Sequence, residues 1–323
     1  MKFRSISIGF LCLCLLTCAA AASVEVETVT VSAMTGDNRA PVARNLSLNT
    51  YRGVSVGGSF QAVDPEGDIL SFRIGTEPGK GSVTVSGDSF VYTPAEGKRG
   101  RDRFTYQAVD TAGNTSQEAE VSIRISRQET QVFYPELQGS GIQYAALRLA
   151  EEGIFTGERI GQCYDFSENS TLSRSDFLTM CAALTGMEPL EDVSRTGFYD
   201  DESIPLWQKP YVSAALLCGL VQGSRNDAGQ VLFRGEDPIT RAEAAVLLNS
   251  FLELSDTAGI FYREDVPDWA AQAVANLYSC DICSGNEFRA SVCLTRADAA
   301  EMLSGALDVL ESRGKNAGFS WAS

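Results

Sequence analysis

Three short segments of this chain repeat one another: Ser173-Arg174-Ser175-Asp176, Thr240-Arg241-Ala242-Glu243 and Thr295-Arg296-Ala297-Asp298. Upstream of each, an apolar stretch at helical spacing runs into a turn. In chain order these are Tyr144–Glu152 with Gly153-Ile154-Phe155-Thr156-Gly157, Trp207–Cys218 with Gly219-Leu220-Val221-Gln222-Gly223, and Trp269–Cys280 with Asp281-Ile282-Cys283-Ser284-Gly285. The three arginines stand 67 and 55 residues apart. A unit of helix, turn, loop and helix this short cannot enclose its own apolar face, so the three must pack together.

The hydroxyl and the acid of the repeated segment have a local explanation. Thr240 and Glu243 have capping-box spacing, and Ser173/Asp176 and Thr295/Asp298 can act similarly with a shorter acid. The arginine is different, because a cation in the first turn opposes the helix dipole at a cost of about 0.3–1 kcal/mol where exposed. It still recurs three times, in a region whose only lysines are Lys209 and Lys315. Two arrangements would offset that cost. An anion could be held by the guanidinium and free helix-end amides, or each arginine could pair with an acid of the neighbouring repeat. The sequence favours the anion and leaves the pairing open.

Phe198-Tyr199-Asp200, Trp207 and Ile239-Thr240-Arg241-Ala242-Glu243 resemble the S-layer homology (SLH) family, as do Asp265, Trp269 and Thr295-Arg296-Ala297-Asp298. The first unit has drifted: Phe133-Tyr134-Pro135 lacks the aspartate, and Gly141 stands where tryptophan would. The resemblance implies an all-α pseudo-trimer of helix-loop-helix repeats at residues 133–190, 196–255 and 260–312, with a tail at 313–323. It also implies a function: non-covalent anchoring to a bacterial cell wall through an acidic, often pyruvylated, secondary cell-wall polysaccharide linked to peptidoglycan. The residues carried over as ligand contacts are Arg174, Arg241 and Arg296, with Asp200 and Asp265 from the Phe-x-Asp motif. Trp207 and Trp269 would either stack on sugar faces or close the core of their repeats. Gly157, Gly223 and Gly285 would cap helices first and admit close sugar approach second.

Before residue 128 the periodicity is that of strands. The candidates are Ser59–Val63, Leu70–Ile74, Gly81–Val85, Ser89–Tyr92, Asp102–Val109 and Glu118–Ile125, and the last two alternate polar and apolar residues as a half-buried sheet requires. Their number and spacing suit an immunoglobulin-like sandwich over residues 40–127, flanked by linkers at 23–39 and 128–132. Ala40-Pro41-Val42-Ala43, Asp64-Pro65-Glu66-Gly67-Asp68, Tyr92-Thr93-Pro94 and Phe104-Thr105-Tyr106 through Asp110 resemble bacterial cadherin-like or Ig-like repeats. Asp64, Glu66, Asp68 and Asp110 could converge on Ca²⁺, which takes several carboxylate oxygens. Alternatively, the Asp-Pro-Glu-Gly-Asp segment simply makes a turn.

Charge bounds the function. The chain of 323 residues has 26 Lys+Arg, 42 Asp+Glu and no histidine. Residues 23–127 carry 11 basic and 13 acidic side chains, and residues 128–323 carry 13 and 29. Such a chain is a poor partner for nucleic acid. Without histidine, Ser-His-Asp and Cys-His nucleophilic sites and His-ligated zinc are excluded. A carboxylate-only glycoside hydrolase is the least favoured reading, since both regions are taken up by non-catalytic modules. Lys2, Arg4, the apolar run Ile6–Leu16 and Ala20-Ala21-Ala22 read as a signal peptide over residues 1–22, too short to span a bilayer. Acylation at Cys18 is disfavoured by the bulk of Thr17.

The expectation is therefore a secreted, non-enzymatic cell-surface protein with no membrane span in its mature form and no cofactor other than calcium. The alternative is a structural or protein-binding role in which the SLH repeats have lost the polymer. Six cysteines (163, 181, 218, 280, 283, 293) leave the disulfide pairing open, with Cys283 and Cys293 considered as one bridge.

Overall fold

The computed structural model describes residues 38–255, 265–284 and 287–314. The signal-peptide reading, most of the first linker, Gly285 and the tail from 315 lie outside them.

The first region is a sandwich of short strands: β1 (Val42–Ala43), β2 (Leu46–Tyr51), β3 (Val56–Ser59), β4 (Ala62–Val63), β5 (Ser71–Ile74), β6 (Gly81–Ser86), β7 (Ser89–Pro94), β8 (Gly100–Val109) and β9 (Ala119–Ser126). One sheet has the order β2-β9-β8-β5 and the other β3-β7-β6. The terminal strands β2 and β9 run parallel, with Leu48 opposite Ile123. The alternation seen in the sequence is the burial pattern: Phe104, Tyr106 and Ala108 of β8 and Val121, Ile123 and Ile125 of β9 are buried. Phe60 stacks among Phe72, Phe90 and Tyr106 to fill the space between the sheets. The expected strand Ser59–Val63 is split, because Phe60 turns into this cluster and the chain changes sheet there.

The second region is mainly helical: α1 (Gln143–Glu151), a hairpin of β10 (Glu158–Ile160) and β11 (Cys163–Asp165), α2 (Arg174–Thr185), α3 (Lys209–Leu217), a hairpin of β12 (Ser224–Arg225) and β13 (Val231–Leu232), α4 (Arg241–Leu252), α5 (Asp268–Ser279) and α6 (Arg296–Ser312). It is thus not purely α. The loops between glycine and arginine in the first two repeats are long enough to need backbone partners of their own, and each finds them in a hairpin.

Three cyclically related hydrogen bonds tie the repeats together. The Leu172 amide donates to the Leu294 carbonyl (3.0 Å), Leu294 to Ile239 (2.8 Å), and Ile239 back to Leu172 (3.0 Å). These residues each stand two before a repeat arginine, and all three are buried. The repeats thereby share one apolar core. Arg148 of α1 reaches across to α6, where its buried guanidinium meets the Ser304 carbonyl, Asp308 and Glu311 (2.9, 2.7 and 2.7 Å).

The two regions are also in contact. The Gly57 amide of β3 donates to the Gly141 carbonyl (2.8 Å), and the Tyr144 amide donates to Ser55 (3.2 Å). Gln143 Oε1 accepts from the Ser55 amide (3.1 Å), and the rings of Tyr51 and Tyr144 lie 5.2 Å apart. Residues 128–132 are held as well, with Glu151 accepting from the amides of Glu129 and Thr130 and Val132 buried in the helical core.

A Cβ at Gly57 would stand 3.2 Å from Gly141 backbone atoms. Gly57→Leu is therefore expected to separate the two regions, at a cost of about 1–3 kcal/mol, while each keeps its own core. Limited trypsin digestion checks this: cleavage after Arg127 should accelerate strongly, and an unchanged rate would count against the contact.

Candidate functional site

The repeated segments fold as capped helix starts. Ser173, Thr240 and Thr295 are N-caps whose hydroxyls accept from the amides of Asp176, Glu243 and Asp298. The capping box is complete at Thr240 and Thr295. The other first-turn amides are not free. Those of Arg174, Arg241 and Arg296 donate to the carbonyls of Asp237, Val292 and Ser170 (3.0, 2.9 and 2.9 Å), each in the next repeat around the ring. Residues Ser175, Ala242 and Ala297 do the same with Gly235, Ala290 and Glu168. An anion held by free helix-end amides is thus ruled out at these three helices, because repeat packing consumes those donors.

The arginines use the second arrangement. Arg174 pairs with Glu243 at 2.7 Å, and Arg241 pairs with Asp298. Each acid belongs to the capping box of the following repeat, so its carboxylate offsets the misplaced cation and closes the neighbouring cap. Burial raises the Glu243 carboxyl, but the Thr240 amide and Arg174 outweigh it and hold this acid below its ordinary range. Arg296 departs from the pattern. The corresponding acid, Asp176, accepts instead from Gln208 Nε2 (3.1 Å). Arg296 donates to the Phe166 carbonyl (3.0 Å), lies over the Phe155 ring at 5.1 Å, and keeps its buried Nε without a partner among the described residues.

The aromatic residues answer the question left open by sequence. Trp207 and Trp269 are each 61% exposed, so neither closes a core. Trp207 lies in the turn before α3, and Trp269 in the first turn of α5. A cleft of about 520 Å³ brings Trp269 together with Arg174, Glu243 and the turn Leu220–Gly223. Gly223 and Gly157 have positive φ of 69° and 68°, and a Cβ there would strike the carbonyls of Leu232 and Asp165. These glycines close the loops rather than cap helices; the residues after the helices, Gly153 and Gly219, have the left-handed backbone instead.

Asp200 and Asp265 act on the backbone. Asp200 accepts from the amides of Phe233 and Arg234 (2.8 and 2.7 Å), and Asp265 accepts from those of Phe288 and Arg289 (3.0 and 2.9 Å). The sequence made the first repeat appear to lack this acid. Glu136, one residue beyond Pro135, supplies it by accepting from the Phe166 amide at 2.6 Å. The signal was present as an acid shifted along the chain. Arg148 was also missed, since a charged residue inside an apolar helical stretch carries no mark of its partner.

At one end of the sandwich, oxygens of Asp64, Asp68 and Asp110 lie within 4.8 Å of one another. Buried Asp64 Oδ2 and Asn38 Oδ1 have no partner among the described residues. Glu66 does not join them, because it turns outward to Arg39 Nε at 2.9 Å. Among the described residues Cys163, Cys181, Cys218, Cys280 and Cys293 stand as free thiols, so the structure shows no Cys283–Cys293 bridge.

Residues 38–127 match the bacterial cadherin-like domain. The chain is 28% identical over 154 residues to an amylopullulanase of Thermoanaerobacterium thermosulfurigenes, covering 44% of this chain but only 8% of that enzyme. Among solved structures, Drosophila N-cadherin EC1-4 is similar at 13% identity and TM-score 0.23, covering 28% of this chain and 25% of that one. The PKD domain of an M14-like peptidase from a Thermoplasmatales archaeon is similar at 19% identity and TM-score 0.21, covering 28% of this chain and 99% of that one. The first region is a cadherin-like, Ig-like sandwich, followed by a helical region.

One acid outside the cleft contributes to the response to pH. Burial raises the Asp201 carboxyl, but Lys209 Nζ at 2.8 Å and the amide and hydroxyl of Thr196 bring it down to about 2. Its stabilisation is complete above the ordinary aspartate range near about 4 and is lost as pH falls towards 2. Thermal unfolding followed from pH 5 to about 2 should show a steeper fall in midpoint for the parent than for Asp201→Asn. Parallel curves would contradict this assignment.

Proposed function

We propose that the helical region is an SLH anchor which binds an acidic secondary cell-wall polysaccharide, and that the cadherin-like domain is a spacer or adhesion module of a secreted surface protein. The observation that carries this reading is the cleft in which Arg174, Gly223 and Trp269 meet, contributed by three different repeats. The cyclic hydrogen bonds of Leu172, Ile239 and Leu294 support a pseudo-threefold SLH arrangement. An exposed indole offers a face for a sugar ring, and a guanidinium suits the planar carboxylate of a pyruvate ketal. Arg174 is bound to Glu243, so the incoming carboxylate shares the guanidinium rather than finding it empty.

The three repeat arginines are not equivalent in their surroundings. Arg296 has no carboxylate partner among the described residues and donates to the Phe166 carbonyl, while Asp176 is held by Gln208. No tryptophan stands at the corresponding position of the first repeat, where Gly141 packs against Gly57. The expected result is that Arg174→Ala with Trp269→Ala weakens pelleting of the chain with cell-wall sacculi about tenfold or more, whereas Arg241→Ala changes it little. Equal pelleting by the double variant and the parent would overturn the assignment. A well-folded chain that never pellets would favour a structural or protein-binding role.

The acidic end of the cadherin-like domain fits calcium, with Asp64, Asp68 and Asp110 as ligands and the partnerless buried oxygen of Asp64 in keeping with that use. A bound ion there would cross-link the loops before β5 and after β8. Calcium should raise the unfolding midpoint of the chain, magnesium should do so less, and Asp64→Asn should abolish the response. No calcium shift in the parent would dismiss the site.

A further inference from the structure

The guanidinium groups free to bind a ligand are concentrated on the other domain. Arg52, Arg99 and Arg127 line one open concavity of about 650 Å³ with Gly100, Ile125 and Ser126. Arg101 and Arg124 face each other across the adjacent rung of β8 and β9. Like charges placed opposite one another are unfavourable in a sheet. All five arginines are exposed, and none makes a side-chain hydrogen bond or ion pair among the described residues. Arg148, Arg174 and Arg241 of the helical region, by contrast, are all bound to carboxylates.

The fold gathers these residues at one end of the sandwich. Arg99 precedes β8 and Arg127 follows β9, and the Arg52 amide is fixed to the Ser126 carbonyl at 3.0 Å. Gly100 has φ +82°, and the nearest atom to a Cβ built there is Lys80 Nζ at 3.6 Å. Lys80 in turn donates to the Arg99 carbonyl (3.1 Å), which sets another cation beside the concavity. In a chain of net charge −16 this is a local reversal of sign.

We propose that this concavity is an anion-binding site of the cadherin-like domain, separate from the helical clefts, which takes a saccharide bearing carboxylate or sulfate groups. The planar fork of arginine matches both groups, and several unpaired forks on one concave surface match a ligand with several such charges. No aromatic side chain lines the concavity, so base stacking of a single-stranded nucleic acid has no platform there. Its volume is that of a site for a compact ligand rather than a flat patch for a membrane.

The test uses the full chain with heparin fragments as the sulfated probe, polygalacturonate fragments as the carboxylated probe, and dextran as the neutral control. Binding to one or both charged probes, weakened by salt and absent for dextran, is expected. The variant Arg52→Gln, Arg99→Gln, Arg127→Gln should bind about tenfold or more weakly, while Arg73→Gln with Arg103→Gln, on the same sheet but outside the concavity, should bind these probes as the parent does. A preference between heparin and polygalacturonate tells which anionic group the site takes. The proposal is overturned if the triple variant binds like the parent, if neither charged probe binds, or if phosphatidylserine vesicles retain the chain when the saccharides do not. Loss of binding in the Arg73→Gln, Arg103→Gln variant alone would move the site off the concavity and likewise overturn it.

Discussion

The helical region depends on a ring of three main-chain hydrogen bonds. Leu172, Ile239 and Leu294 each give an amide to one neighbour and a carbonyl to the other, at the point where all three repeats meet in the core. A buried amide without a partner is costly, so no repeat can leave the ring without stranding its neighbours' polar groups. The ring also sets the helix starts that follow two residues later. With the first-turn amides bonded to the next repeat, the only freedom left to each arginine is in its side chain.

That constraint changes the meaning of the arginine. Its recurrence at an unfavourable dipole position suggested an external anion, yet Arg174 and Arg241 meet the capping acids of the following repeats. The arginine, the hydroxyl and the acid are therefore one structural device, repeated around the ring, that joins each helix cap to the next. A binding role can only be added to it. The cleft with Arg174 and Trp269 has room for that addition, because the indole stands in solvent and the loop glycine keeps the backbone close. Asp200, Asp265 and Glu136 work on the same scaffold by holding loop amides of their repeats.

Much of this was legible in the sequence, for reasons that differ by element. The strands β8 and β9 and the helix starts at Ser173, Thr240 and Thr295 follow from periodicity and capping chemistry, which are local. The partners of the arginines are not local: Arg174 lies 69 residues from Glu243. The same holds for Arg148 and Asp308, and for the contact of Gly57 with Gly141, where the missing tryptophan looked like simple decay. Glu66 was grouped with the other acids by proximity in the chain, but the turn it lies in sends it towards Arg39. Exposure of the tryptophans also needed coordinates, since one amphipathic position serves core and surface equally well in a short helix.

The proposed anchor would lodge a negatively charged wall saccharide between Trp269, Gly223 and Arg174. Titrating the chain with a pyruvylated wall-polysaccharide fragment while following tryptophan fluorescence addresses it directly. A saturable change that disappears in Trp269→Phe and weakens sharply in Arg174→Ala is expected. A flat titration, or one that Trp269→Phe leaves intact, would contradict it.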